Sequence, residues 1–463
     1  MHSARTTAQH CFESPDPVNA LILKFRNAPQ AVVSVVRNFG WMLSARVLAA
    51  VFSLIYLAII TRSLGVTGFG KFALITGAAQ FLANLLAFQT WQIIVQYGVA
   101  HIENGDETRL ARLYRAAIAL DVVSALVGIG AAALILHFFA EALGMTPTLA
   151  RATLIFNIIM LISLRSTPIG ILRLRDKFDI AAAADAATPT LRLVGAIAAA
   201  LIHPKLQGFL IAWAFAELLT AAAHWYAVHR VGEFRTILRN GKGLRAVFAD
   251  NPDILRYSLT SNFSQTLFIS VKQIPLFMVG GLTGTAAAGA FRLAAQLGRS
   301  LTTVSQMIAK AAFPEIVRAV RSQGARSLGT MIAQSMRLAT AVGAVVFILA
   351  IFLGRVLLET IGGADFGGAY TGLLWLTAAA CIDLAIVAFE PTIMAAQRAH
   401  LLFLARLAAT AILVGTALLL EPTMGADGVA AAVFANSVAQ ALLLGAIIAR
   451  MTRRRDSNAA PPA

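Results

Sequence analysis

The chain has 463 residues, of which 58% are hydrophobic and 13% charged, with a net charge of +16. Soluble domains carry about 25% charged residues, so this composition excludes a soluble globular protein and identifies a polytopic membrane protein. The basic excess fits lysine and arginine collecting on the cytoplasmic side of a membrane, which removes nucleic acid as a partner, and two cysteines, Cys11 and Cys381, leave no disulfide framework, cysteine metal site or other cofactor to expect.

Residues 1–40 begin with a polar stretch and lack a short apolar core followed by a small-residue cleavage site, so no cleaved signal peptide is expected. They read as a cytoplasmic N-terminal segment. Apolar runs long enough to span a bilayer follow at about 41–61, 72–97, 116–139, 150–171, 180–202 and 207–228. The stretch 230–256 then carries Arg230, Arg235, Arg239, Lys242, Arg245 and Arg256. It reads as a basic cytoplasmic linker, either a tether that fixes topology or an amphipathic helix on anionic headgroups. Six more runs lie at about 257–281, 286–312, 331–354, 368–390, 400–420 and 425–449, and 451–463 is a basic tail. The expected fold is therefore all-α: about 12 transmembrane helices in two six-helix bundles, 41–229 and 257–450, around a central cavity. Lysine and arginine concentrate in the N-terminus, the even-numbered loops and the tail, whereas the odd-numbered loops hold Arg62, Lys71, Arg151, Lys205 and Arg355. By the positive-inside rule both termini are cytoplasmic.

A short internal repeat is visible. Gly70-Lys71-Phe72-Ala73-Leu74 after the first span matches Gly289-Ala290-Phe291-Arg292-Leu293 after the seventh, as Gly-x-Phe-x-Leu. Carried forward, the same offset sets Gln80 and Asn84 against Arg299 and Thr303. Two halves related by parallel repetition, with a substrate path between them, is an architecture that transporters use.

The eighth span carries Arg292, Gln296, Arg299, Thr303, Gln306 and Lys310 at steps of three and four, so all six share one helical face. A charge in hydrocarbon costs about 2.5–3.5 kcal/mol even on the lenient insertion scale, so Arg292 and Arg299 must face protein or water. With no acid in the segment, the face suits a polyanion. In the seventh span Lys272 sits on a second polar face with Ser258, Asn262 and Gln265, and an intramembrane ionisable residue is a functional candidate by default. The alternative for Lys272 is a salt bridge to Asp383 or Glu390 of the tenth span. Arg46, about five residues into the first span, either faces the cavity or snorkels to the surface. Arg165 and Arg173 read as topological, and Asp185 and Arg192 as neutralising charge across helices. Glu217 and His224 of the sixth span are seven apart on one face. That pair would suit proton coupling, or else a packed hydrogen-bonded role, and Asp383 and Asp121 are further coupling candidates.

Arg62-Ser63-Leu64-Gly65-Val66-Thr67-Gly68-Phe69-Gly70 resembles the Arg-x-Leu-Gly-x-x-x-Phe/Tyr-Gly start of the polysaccharide transporter family, the Wzx-type oligosaccharide flippases of the multidrug/oligosaccharidyl-lipid/polysaccharide exporter superfamily. Ile171-Leu172-Arg173-Leu174-Arg175-Asp176-Lys177-Phe178-Asp179 looks like the arginine-rich turn those proteins carry after the fourth span. The resemblance implies an inner-membrane flippase that moves an undecaprenyl-diphosphate-linked repeat unit from the cytoplasmic to the periplasmic face for O-antigen or exopolysaccharide assembly. The lipid-linked oligosaccharide and membrane lipids would be its partners, with a polysaccharide polymerase and chain-length proteins beside it. Arg46, Lys272, Arg292, Gln296 and Arg299 are then the candidate substrate-binding residues, and Glu217, His224 and Asp383 the candidate ion-coupling ones. A lipid II-type peptidoglycan precursor flippase is the closest alternative, although many of those carry two further spans. A membrane-embedded polymerase or glycosyltransferase would need acidic or histidine residues on a long extramembrane loop. The longest loop here is basic, and no enzyme motif is found.

Overall fold

The computed structural model describes the backbone of residues 30–86, 88–141, 143–238, 246–251, 253, 254, 256, 272–300, 328–390, 393 and 399–459, and most side chains among them from 48 to 450. Residues Ala49–Ala463 form one compact unit and Met1–Leu48 another. The described residues hold helices α1 (Gln30–Leu86), α2 (Thr90–Glu103), α3 (Glu107–Phe139), α4 (Pro147–Ile162), α5 (Ser166–Leu174), α6 (Phe178–Ile202), α7 (Leu206–Val231), α8 (Glu233–Leu238) and α9 (Ala246–Asp250). After these come α10 (Ile274–Leu282), α11 (285–300), α12 (Leu328–Gly362), a 3₁₀ turn (Ala364–Ala369), α13 (Tyr370–Ala385), α14 (Ala399–Met424) and α15 (Ala426–Ala459).

Nine stretches among the described residues are long and apolar enough to cross a membrane. The first, Leu48–Glu103, is 56 residues long. At 1.5 Å per residue that far exceeds the ~30 Å hydrocarbon core, so it crosses twice, turning at Gly65, whose φ of 66° interrupts α1. With α10 and α11, which lie in the two apolar runs of 257–312, the fold has about twelve transmembrane helices. Its surface is the inverse of a soluble protein's: Leu126, Val127, Phe352, Leu419 and Ile202 are 65–82% exposed, while Asp121, Asn157, Glu217 and His224 are buried. Leaving a Leu or Phe in water forfeits about 1.5–3 kcal/mol each, so only lipid can face those positions. Glycine and alanine dominate many close contacts, as expected where apolar helices must approach without a hydrophobic drive between them.

Local chemistry sets the ends of the elements. Asp106 caps α3 by accepting the amide N–H of Arg109 at 3.0 Å, and Thr146 caps α4 ahead of Pro147, whose missing N–H suits the first helical turn. Gly232, at φ 88°, closes α7. Two of the spans are broken, between α1 and α2 and between α4 and α5, and the first turns of α2 and α5 converge on buried Asp121 of α3. That carboxylate accepts the hydroxyls of Thr90 and Thr167, both at 2.7 Å, and the Thr167 amide at 3.1 Å.

The short sequence repeat has a three-dimensional counterpart. Gly65 and Gly284, Gly70 and Gly289, and Gly144 and Gly363 are related by one constant offset, and the first and third pairs all have positive φ. Gly70 and Gly289 cross reciprocally. A Cβ on Gly70 would lie 1.7 Å from the Thr285 carbonyl oxygen, and one on Gly289 would lie 2.4 Å from that of Val66. Around this crossing the hydroxyl of Thr61 donates to the Ile361 carbonyl at 2.9 Å, Arg62 donates to the Thr360 carbonyl, and Gly144 packs against the backbone of Gly280. The rings of Phe69 and Phe366 meet edge-on at 6.1 Å. All these contacts join the first half of the chain to the second at the end that carries the odd-numbered connections.

The described parts of the linker make specific contacts. Glu233 of α8 pairs with Arg175 at 2.8 Å, Asp250 of α9 pairs with Arg112 at 2.9 Å, and Ile237 and Val247 are buried.

Candidate functional site

The site is built from α11, the start of α10 and α13 on one side and from α6 and α7 on the other. Arg292, Gln296 and Arg299 lie on α11, where spacings of four and three residues stack them along one face. The opposite face supplies Leu293, Ala294 and Leu297, each at most 2% exposed. Arg299, Lys272 and Asp383 are open to solvent although protein surrounds them. Arg355 on the outer face of α12, by contrast, is 71% exposed with no crowding.

Electrostatics group these residues further. Lys272 lies within reach of the charges of Arg299, Asp383, Arg406 and Glu390. Arg292 lies within reach of Arg299, of Tyr56 on α1 and of Arg192 on α6. The cationic cluster therefore draws on both halves of the repeat. Of the acids expected to oppose Lys272, Glu390 is paired with Arg406 of α14 at 2.7 Å, and Asp383 accepts a hydrogen bond from buried Ser437. The side chain of Arg46 lies outside the described residues, as do Ser258, Asn262, Gln265, Thr303, Gln306 and Lys310.

On the α6–α7 side, Glu217 and His224 share a face of α7, but each has its own partners. Glu217 is fully buried, with one oxygen on Arg165 at 2.5 Å and the other on Arg192. His224 faces Asp185 through Nε2 at 3.1 Å and the Thr220 carbonyl through Nδ1 at 2.9 Å. Thr188 and Thr220 join the two helices between these pairs at 3.2 Å. The guanidinium of Arg192 lies over the Trp213 ring, 4.3 Å from its centroid, and Trp213 is held edge-on by Tyr56 and Phe72. Such a cation over indole is worth about 0.5–2 kcal/mol and fixes the plane of the fork.

Sequence reasoning missed four contributors: Arg165, Arg192, Trp213 and Tyr56. Arg165 looks topological because it stands near a helix end, and its reach to Glu217 depends on the break between α4 and α5. The available signal was Arg192 itself, an intramembrane arginine, since such residues are seldom placed without use.

Chemically, the arrangement brings several guanidiniums and one ammonium near one another, with Asp383 and Glu390 beside Lys272. It can hold a multivalent anion. Among the described residues no group of three or more His, Cys, Asp or Glu side chains could hold a metal ion.

A family model described as polysaccharide biosynthesis protein matches residues 35–320 of this chain. Inner membrane protein YghQ of Escherichia coli (strain K12) is 25% identical over 352 residues, which is 74% of this chain and 96% of that protein. Among solved structures, the lipid II flippase MurJ in an inward closed conformation superposes with a TM-score of 0.67 at 11% identity, covering 88% of this chain and 87% of that one. An inward-facing multidrug resistance MATE family transporter of the MOP superfamily gives 0.65 at 16% identity, covering 89% and 96%. At these identities the two structures speak for the fold alone.

Proposed function

Because the chain belongs to the polysaccharide biosynthesis protein family, we propose that it is a flippase that moves an undecaprenyl-diphosphate-linked oligosaccharide repeat unit from the cytoplasmic to the periplasmic leaflet of the bacterial inner membrane, for O-antigen or exopolysaccharide assembly. The observation that carries this reading is the proximity of Lys272, Arg292 and Arg299 to one another. A diphosphate needs cations where water can follow it, and arginine offers two donors in a fixed fork to two phosphate oxygens at once. Gln296, on the same face, and Arg46 complete the proposed substrate set.

The odd-numbered connections are poor in lysine and arginine, which assigns them to the periplasm under the positive-inside rule. The halves are joined at that end, so the cavity would face the cytoplasm, where the loaded lipid is made. An inside-negative potential favours outward movement of the two diphosphate charges by about 2.3 kcal/mol per charge per 100 mV. Ion coupling would then serve only to reset the empty carrier, and Glu217, His224 and Asp383 are the candidates for that step. The polymerase and chain-length proteins would act on the delivered unit. The test is removal of the gene: surface polysaccharide should be lost while the diphosphate-linked oligosaccharide accumulates in the cell. Normal polysaccharide with no accumulation would end the proposal.

A further inference from the structure

Arg192 is the charge that the cavity face of α11 does not explain. One of its terminal nitrogens is on Glu217, its plane lies over Trp213 at 4.3 Å, and its buried Nε has no hydrogen-bond partner among the described residues. Its charge also acts on Arg292. Arg192 therefore belongs both to a closed ion cluster and to the cationic wall of the cavity.

Glu217 has no solvent exposure and no acid beside it in the cluster, and its two oxygens hold two guanidiniums. This is how a phosphate group would be held: two oxygens, each facing an arginine. In the empty cavity the carboxylate offsets the repulsion between Arg192 and Arg292. A diphosphate, with more charge and more oxygens, can take Arg192 from one carboxylate oxygen while Arg165 keeps the other. The Trp213 face holds the guanidinium plane in place, so its donors, Nε among them, can turn toward a new anion without rebuilding the side chain.

We propose that Arg192 is a further phosphate-binding residue of the cavity, and that Glu217 is its internal counter-anion, holding it until the diphosphate of the cargo takes its place. This rests on the diphosphate reading given above. Release of Arg192 would free one carboxylate oxygen of Glu217, which is the point at which that residue becomes able to accept a proton. Binding of cargo and the proposed resetting step thereby share one residue.

The probe is inorganic pyrophosphate, titrated into the purified full-length protein in lipid nanodiscs by calorimetry and by tryptophan fluorescence. Pyrophosphate should change the emission, and Trp213→Phe should remove most of that change, because the guanidinium stacked on the indole gains a second anion. Arg192→Gln should weaken pyrophosphate binding at least tenfold, and Glu217→Gln should strengthen it several-fold. Binding in Arg192→Gln equal to wild type, with Arg299→Ala still weakened, would overturn this inference and leave the diphosphate cavity standing. No pyrophosphate binding by wild type or by any variant would overturn both. Should Glu217→Gln unfold, the wild-type emission decides: no Trp213-dependent change at saturating pyrophosphate overturns the proposal.

Discussion

In the α6–α7 pair, the intramembrane acids have partners: Glu217 lies between Arg165 and Arg192, and Asp185 faces the His224 imidazole. Around α11 the balance differs, since Arg299 and Arg192, both of its own sign, lie near Arg292 together with Tyr56. Burying a charge is tolerated in two ways, by pairing it or by letting water reach it. The first cluster uses pairing and packs its carboxylate to zero exposure, whereas Arg299 and Lys272 of the second are exposed. An arrangement of like charges loses stability unless something else selects it, and a multivalent anion is the selecting agent that fits. The comparison also separates two meanings of an intramembrane arginine that look alike in sequence.

The sharpest way to break the comparison is to remove the centre of the paired cluster. Glu217→Ala would leave Arg165 and Arg192, both half-buried, without their counter-ion, and since breaking a fully buried pair costs about 3–5 kcal/mol, the loss here should approach the lower end of that range. Membrane abundance should fall and thermal unfolding in detergent should shift down markedly. An unchanged unfolding temperature would mean the cluster is as hydrated as the cavity, and the distinction would dissolve.

A smaller effect is expected at the odd-connection end, which is dry and defined by backbone approach. Gly70→Ala puts a methyl group where the Thr285 carbonyl already lies, and such overpacking costs about 1–3 kcal/mol. Gly289→Ala should behave alike because the contact is reciprocal. If transport is then measured at matched protein amounts, both variants should favour the state in which this end is parted. Wild-type stability in both would show that the crossing is looser than described.

Much of the fold was legible in the sequence, for physical reasons that can be named. Long apolar runs with short connections leave few alternatives to a helical membrane bundle, and the spans at 116–139 and 207–228 correspond to α3 and α7. The Gly-x-Phe-x-Leu match was short, yet it marked a real repeat, because only glycine permits both the positive φ at Gly65 and Gly284 and the close approach of Gly70 to Gly289. The Arg292, Gln296 and Arg299 face was legible from helical spacing alone. What could not be read was pairing between helices. Spacing put Glu217 with His224, whereas packing gave Glu217 to Arg165 and Arg192 and gave His224 to Asp185. The contacts of the basic linker could not be read either: two acids within it, Glu233 and Asp250, pair with Arg175 and Arg112.

The central claim is that Arg299 of α11 and Lys272 ahead of α10 bind cargo rather than brace the fold, and one measurement tests it most directly. Arg299→Ala and Lys272→Ala would be expressed in a strain lacking the native gene, with membrane abundance and surface polysaccharide measured side by side. The account predicts wild-type abundance, since removing a cation from a membrane helix lowers its insertion cost, together with loss of export and partial recovery in Arg299→Lys, which keeps the charge without the two-donor fork. Full export by both alanine variants, or abundance that falls in step with export, would contradict it.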